Sequence, residues 1–177
     1  FYLTVSTHEP PKPLASLAKF TEPYADLKDP DLRQHHGNIT QVDYAFGQLV
    51  AALDELGYRD NTLVMFTSDN GPARDGIRAR TRGSTGGLRG RKRHSHDGGI
   101  RAHGVMRWPG HIPADRVCNE PIIGSDIFTT ICEIVDIPLP EDRPIDGASF
   151  LPVFAGGEIE RSEPLYWRNH LAPEPYV

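Results

Sequence analysis

A carboxylate and an amide stand side by side directly after a short apolar segment of the chain. The segment is residues 62–67, Thr-Leu-Val-Met-Phe-Thr, and Asp69 and Asn70 follow it after one serine. Such a segment predicts a buried strand, and open α/β sheets bind ligands beyond the carboxyl ends of their strands. Asp69 and Asn70 offer two hard oxygen ligands, which suit Ca²⁺ or Mg²⁺ better than Zn²⁺. The alternative is a plain turn, because Asp-Asn-Gly-Pro is also a turn sequence.

The following loop carries a concentrated positive charge. Residues 74–101 have a net charge of +7, within a chain whose formal net charge is −5. This cluster indicates an anionic partner. Nucleic acid fits poorly, because only Trp108 lies nearby for base stacking and no nucleic-acid motif is present. A phosphate or sulfate ester beside a divalent cation accounts for both features, and the alternative is a solvated basic loop.

Two smaller features complete the set of candidate residues. Gly98 and Gly99 follow the basic cluster, and glycines at this point predict that backbone approaches another group closely. His8 lies in a Pro-rich loop after the first apolar segment and is a candidate acid or ligand. The alternative for His8 is a purely structural role.

Strands and helices in alternation must position these residues. The pattern predicts a buried strand over residues 1–7 and then a Pro-rich loop from His8 to about Gly37. A helix is predicted from Asn38, as N-cap with Gln41 in a capping box, to Gly57. Beyond the strand at 62–67 we expect a polar loop over 73–101, a strand over 103–108, a helix over 125–135 and a new element near Arg161. This order favours an α/β fold on a parallel sheet.

Composition excludes several classes of protein. The chain has 177 residues, of which 38% are hydrophobic, which fits one domain or a large part of one and excludes a fully disordered chain. No apolar run approaches the roughly 20 residues of a membrane span. The two cysteines, Cys118 and Cys132, are too few for a disulfide scaffold. The chain does not begin with Met and is predicted to be an internal part of a longer protein.

Eight segments of the chain form a recognisable series, at residues 36–43, 53–57, 66–72, 87–92, 97–101, 107–110, 146–147 and 151–154. In their order and spacing, these segments together resemble the second half of the catalytic domain of sulfatases, of the arylsulfatase type. The resemblance covers residues 1–157, and residues 158–177 would begin a small C-terminal subdomain.

The resemblance implies an alkaline-phosphatase-like α/β fold, present in part, with a mixed and mostly parallel sheet flanked by helices. It implies hydrolysis of sulfate esters, with Asp69 and Asn70 as two ligands of one Ca²⁺. Lys92 would be catalytic and would contact the sulfate and the leaving oxygen, and Arg89 is a further candidate for substrate binding. The expected substrate is a sulfated small molecule or glycan, without nucleic-acid or membrane partners, in a periplasmic, secreted or lysosomal-type compartment.

Two departures from the family pattern bear on catalysis. The family uses a formylglycine nucleophile made from Cys or Ser in a Cys/Ser-x-Pro/Ala-x-Arg motif, and neither Cys118 nor Cys132 lies in one. We therefore expect the nucleophile in an N-terminal half outside this chain, and this chain alone to be inactive. Pro11 also occupies the position of the family's sulfate-contacting histidine, so His8, three residues earlier, is the candidate for that catalytic role.

Two other functions compete with this interpretation. Phosphomonoester and phosphonate hydrolases belong to the same superfamily as sulfatases and would use a similar site. A binding module for anionic polymers would account for the basic loop without any catalysis, and steep salt dependence of heparin or DNA binding would reveal it.

Overall fold

A computed structural model describes residues 1–7, 15–73 and 82–167 of the chain. Its helices are α1 (Ala18–Thr21), α2 (Pro30–Glu55), α3 (Asp97–Ile100), α4 (Gly124–Ile134) and α5 (Leu151–Phe154), and its strands are β1 (Val64–Thr67) and β2 (Gly104–Arg107). Two 3₁₀ turns lie at Glu22–Tyr24 and Arg59–Asn61. The chain forms two compact units. The first contains Phe1–Tyr58, Thr67–Gly104 and Trp167, and the second contains Arg59–Phe66 and Val105–Tyr166.

The long helix of the first unit, α2, begins earlier than the apolar pattern predicts. Asp29 caps it, with its carboxylate accepting a hydrogen bond from the Asp31 amide at 2.8 Å, and Pro30 occupies the first turn. The predicted loop up to Gly37 and the predicted N-cap at Asn38 are therefore wrong. Asn38 is buried inside the helix, and Gln41 accepts a hydrogen bond from the Leu17 amide instead of completing a capping box.

The predicted end of α2 at Gly57 is confirmed. Gly57 adopts a left-handed conformation with φ of 78°. Its amide donates to the Asp54 carbonyl at 3.1 Å, and the Tyr58 amide donates to the Leu53 carbonyl at 2.9 Å. These two bonds form a Schellman motif, which favours glycine because other residues resist positive φ.

The predicted N-terminal strand is wrong. Residues 1–7 have no helix or strand assignment and are exposed to solvent. A buried strand needs a hydrogen-bonding neighbour, and the two strands of the described residues pair only with each other. The apolar composition of residues 1–7 therefore does not place them in a sheet here.

The second unit is built around the β1–β2 sheet and a small aromatic core. Phe150, Val153 and Phe154 are buried and pack against partly buried residues that include Met65 and Met106 from the two strands. The strands predicted at 62–67 and 103–108 are confirmed in position, as Val64–Thr67 and Gly104–Arg107. The expected burial of the first is wrong, because Phe66 remains 42% exposed.

An ion pair holds α4 in the second unit. The predicted helix over 125–135 is confirmed as Gly124–Ile134. No helix or strand starts at Arg161 in the described part of the chain, contrary to the prediction. Instead, the Arg161 guanidinium donates two hydrogen bonds, of 2.8 and 2.7 Å, to the fully buried Asp126 carboxylate. The carboxylate also accepts from the Ile123 and Ala148 amides.

In the described part of the chain, every helix is too short or too polar to span a lipid bilayer.

Candidate functional site

Three of the predicted site residues line one cavity of the first unit. The cavity has a volume of about 330 Å³ and contains Asp69, Asn70 and Lys92 in its wall. Its other lining residues are Arg93, His94, Gly99, Ile100 and Trp167. Residues from three separate parts of the sequence thus meet at one place, next to the segment that follows β1.

Main-chain hydrogen bonds place the Asp69–Asn70 segment beside Lys92. The Gly71 amide donates to the Gly99 carbonyl at 2.8 Å, and the Lys92 amide donates to the Pro72 carbonyl at 3.0 Å. The segment is therefore fixed on one side to the Lys92 loop and on the other to α3. Backbone bonds of this kind fix the spacing of the functional side chains independently of their own rotamers.

The predicted close backbone approach at Gly98 and Gly99 is confirmed. A Cβ atom on Gly98 would collide with the Gly90 carbonyl oxygen, and one on Gly99 would collide with the His94 carbonyl oxygen. Gly71 is equally constrained, since a Cβ there would collide with the Gly98 carbonyl oxygen. Only glycine fits these positions without displacing backbone.

Some of the cations of the basic loop have structural roles. Arg91 Nη1 donates to the Ala73 and Gly83 carbonyls at 3.1 and 2.7 Å. Arg82 pairs with Asp29 at 3.0 Å and with Asp31 at 2.9 Å, at the start of α2. The Arg82 hydrogen bond lowers the pKa of Asp29 below its usual value. The net charge of +7 therefore overstates the positive charge presented to a ligand.

Asp69 and Asn70 suit a hard divalent cation. Asp69 is exposed and Asn70 is half-buried. The Asn70 Nδ2 donates to the Gly71 carbonyl at 2.9 Å, which leaves its carboxamide oxygen as a ligand. Ca²⁺ takes about 6–8 oxygen ligands, and the described residues contain no group of three or more His, Cys, Asp or Glu side chains placed to hold a metal. These two residues therefore fit part of a calcium site and not a whole one.

Among the described residues, one predicted site residue, Arg89, does not line this cavity. Arg89 is exposed and is not among the lining residues, and its carbonyl accepts a hydrogen bond from the Gly98 amide at 2.7 Å. His8 lies outside the described residues, so its predicted role stays a prediction. Cys118 is exposed and Cys132 is buried, both as free thiols in the second unit.

Sequence reasoning did not identify two of the lining residues, His94 and Trp167, as parts of the site. His94 stands two positions after Lys92, so its place in the basic loop was the available signal. Trp167 lies 75 positions after Lys92, and no spacing in the sequence connects the two. Such long-range proximity arises from tertiary packing and leaves no local pattern.

Comparisons with known proteins identify the family of the chain. A family model described as Sulfatase matches residues 1–137. Human steryl-sulfatase is 38% identical over 128 residues, which cover 71% of this chain and 22% of that protein. The N-acetylgalactosamine-6-sulfatase of Canis lupus familiaris is 37% identical over 135 residues, covering 74% of this chain and 25% of the relative.

Solved structures show the same fold. The crystal structure of Ps i-CgsB in complex with k-i-k-neocarrahexaose superposes with a TM-score of 0.78 at 28% identity, covering 89% of this chain and 34% of that one. The expected fold class, a partial alkaline-phosphatase-like α/β fold, is thereby confirmed. The chain spans about a quarter of the length of the curated relatives that it matches. With a family model matched over most of its length and a cavity that unites Asp69, Asn70 and Lys92, the chain belongs to the sulfatase family.

Proposed function

We propose that the protein containing this chain hydrolyses sulfate esters, and that this chain supplies part of the catalytic site. The observation that carries the proposal is the single cavity lined by Asp69, Asn70 and Lys92. Two hard oxygen ligands and a cation in one cavity suit a compact, negatively charged ester group. The match to the Sulfatase family model supports sulfate as that group.

Each residue has a distinct role in this proposal. Asp69 and Asn70 would hold Ca²⁺, which would supply positive charge next to the sulfate oxygens. Lys92 carries a compact ammonium with three donors, which can bind a sulfate oxygen and the leaving oxygen as negative charge develops there. Its exposed side chain reaches the cavity from a backbone held by Pro72. The family resemblance alone supports a formylglycine nucleophile supplied from outside this chain and a periplasmic, secreted or lysosomal-type compartment.

A sulfated glycan is the substrate class that we favour. One relative is named an N-acetylgalactosamine-6-sulfatase, and the similar solved structure is a complex with a neocarrahexaose. Steryl-sulfatase is also a relative, so family membership alone does not select a sugar. The neocarrahexaose complex covers 89% of this chain, more than the 71% that steryl-sulfatase covers, and this likeness leads us to favour a glycan.

The competing functions have less support. No feature of the cavity specifically favours a phosphate ester over a sulfate ester, and the family model favours sulfate. A module for anionic polymers depended on the charge of the basic loop, and Arg82 and Arg91 of that loop are engaged in structural contacts.

The proposal is tested on the full-length protein with Asp69→Ala. This substitution should remove bound calcium, measured by elemental analysis, and abolish hydrolysis of an aryl sulfate, while its thermal unfolding curve stays close to that of the wild type stripped of calcium. Asp60→Ala is the matched control, because the Asp60 side chain is 83% exposed and is not among the lining residues. Unchanged calcium content in Asp69→Ala would contradict the assignment.

A further inference from the structure

We propose that His94 is a substrate-contacting residue, whose Nε2 binds an oxygen of the sulfate group beside Lys92. This inference rests on the proposed function and adds a residue to the same site. His94 lines the cavity together with Asp69, Asn70 and Lys92, and it is exposed to solvent. A ligand that fills the cavity at Lys92 would therefore also lie next to His94.

The His94 ring is anchored through one of its two nitrogens. Its Nδ1 lies 3.2 Å from the Arg91 amide nitrogen and 3.1 Å from the Arg91 carbonyl oxygen. When Nδ1 is unprotonated it accepts from the amide, and when it is protonated it donates to the carbonyl. The ring thus has a partner for Nδ1 in either state, and none of the hydrogen bonds among the described residues occupies Nε2.

Arg91, the partner of His94 Nδ1, is itself held in place by hydrogen bonds. The Arg91 guanidinium donates to the Ala73 and Gly83 carbonyls, and the His94 amide donates to the Arg91 carbonyl at 2.9 Å. Gly90, with φ of 81°, lies so close that an added Cβ would come within 3.0 Å of His94 Cβ. The His94 side chain therefore packs against a fixed turn. Ligand-binding side chains need this kind of support to keep a defined position.

The chemistry of the cavity matches a sulfate group. The oxygens of a sulfate ester only accept hydrogen bonds, so the site must present donors. Lys92 supplies three N–H donors, and His94 supplies one more from the same loop through Nε2–H, either as the neutral tautomer whose Nδ1 accepts from the Arg91 amide or as the protonated ring. Hydrogen bonds to a charged acceptor are stronger than those between neutral groups. Lys92 and His94 would thus bind the same anion from neighbouring positions of one turn.

The test uses the full-length protein and inorganic sulfate as the probe. We expect His94→Ala to weaken competitive inhibition by sulfate, and to lower kcat/KM for an aryl sulfate, by about 10-fold to 100-fold, the loss typical of one hydrogen bond to a charged group. His94→Gln, which places an amide N–H near the position of Nε2, should recover much of the sulfate affinity. His103→Ala is the matched control, since His103 is an exposed histidine that does not line the cavity.

Two results would overturn the inference, and they are distinguishable. If the wild type hydrolyses the aryl sulfate and His94→Ala binds sulfate as tightly as His103→Ala, His94 does not contact the substrate, while the proposed function stands. If the wild type neither binds sulfate nor hydrolyses the ester, the proposed function fails and this inference fails with it. Thermal unfolding of each variant separates lost binding from lost folding.

Discussion

Lys92 is the residue on which the chemical account of the site depends most. Its backbone amide is fixed to the Pro72 carbonyl, so its side chain starts from a defined position beside Asp69 and Asn70. Arg93 is its neighbour in sequence and lines the same cavity. Comparing substitutions at Lys92 and Arg93 therefore distinguishes a specific role in the reaction from a general effect of positive charge.

We predict that Lys92→Ala lowers kcat of the full-length enzyme on an aryl sulfate by about 100-fold or more, the cost typical of removing one donor to a developing negative charge. Arg93→Ala should cost much less, because the contact with the leaving oxygen is proposed for Lys92 and not for Arg93. Steady-state kinetics of the two variants side by side provide the measurement. Equal and small losses would mean that the loop only attracts the substrate.

For individual site residues, the sequence allowed prediction where the residues belong to a local motif. Asp69, Asn70 and Lys92 were each predicted from short segments, and the structure places all three on one cavity. The ring anchor of His94 could not be foreseen, because it depends on how the turn at Arg91 folds. Trp167 joins the cavity only through tertiary packing.

Among the connecting elements, the turn at Gly71 controls the geometry of the site. A Cβ at this position would overlap the Gly98 carbonyl oxygen, which belongs to the backbone and cannot swing aside. In contrast, a Cβ on Gly47, within α2, meets nothing within 4 Å. The two glycines form a matched pair for substitution.

We predict that Gly71→Ala destabilises the full-length protein by about 1–3 kcal/mol, as overpacking usually does, and lowers its activity by moving Asp69 and Asn70 away from Lys92. Gly47→Ala should be neutral or stabilising by up to about 1 kcal/mol, since alanine favours helix. Denaturant unfolding and aryl sulfate kinetics test both variants. Wild-type stability and activity in Gly71→Ala would show that the close approach has no functional importance.

The Asp126–Arg161 pair makes the second unit sensitive to acid. Burial alone would raise the pKa of Asp126. The hydrogen bonds from Arg161 and from the Ile123 and Ala148 amides stabilise the charged carboxylate more strongly, so the pKa of Asp126 lies below its usual value. A carboxyl group with a lowered pKa in the folded state stabilises the fold above its unfolded pKa of about 3.9. That stabilisation is lost as the pH falls through the folded pKa.

We predict that Asp126→Asn lowers the free energy of unfolding by about 3 kcal/mol at neutral pH, because it leaves Arg161 without its charged partner. The variant should also lose part of the acid dependence of the wild type. Thermal unfolding of both proteins from about pH 2 to pH 6 measures this. Parallel curves for the two proteins would show that Asp126 makes no contribution to acid sensitivity.

At the scale of elements, prediction succeeded where a local signal coincided with packing. The apolar periodicity of α4 and the glycine after α2 gave correct positions for a helix and for a helix end. The start of α2 was missed because its apolar pattern begins only near Ile39, whereas its cap is Asp29, in a polar stretch. Residues 1–7 have a strand-like composition but no strand partner among the described residues.

On the scale of the whole molecule, we expect this chain to be part of a larger catalytic domain. The matched segments cover 22% and 25% of two sulfatase relatives. Asp69 and Asn70 provide fewer oxygen ligands than Ca²⁺ takes, and Cys118 and Cys132 are not in the formylglycine motif. The site is therefore expected to require residues from elsewhere in the protein.

We accordingly predict that residues 1–177 expressed alone do not hydrolyse an aryl sulfate in the presence of Ca²⁺. Apolar side chains such as Phe1, Leu3 and Val117 are more than half exposed, so low solubility is also expected. The assay compares the chain with its Asp69→Ala variant. Turnover clearly above that of the variant would mean that the chain holds a complete site with its own nucleophile.

If Asp69, Asn70 and Lys92 act together on one sulfate group, a crystal structure of the full-length protein with Ca²⁺ and inorganic sulfate will show this arrangement. We expect a calcium ion coordinated by Asp69 and Asn70 oxygens at about 2.3–2.6 Å, with a sulfate ion hydrogen-bonded to Lys92 Nζ beside it. Calcium bound elsewhere, or a sulfate ion remote from Lys92 while the cavity stays accessible, would contradict it.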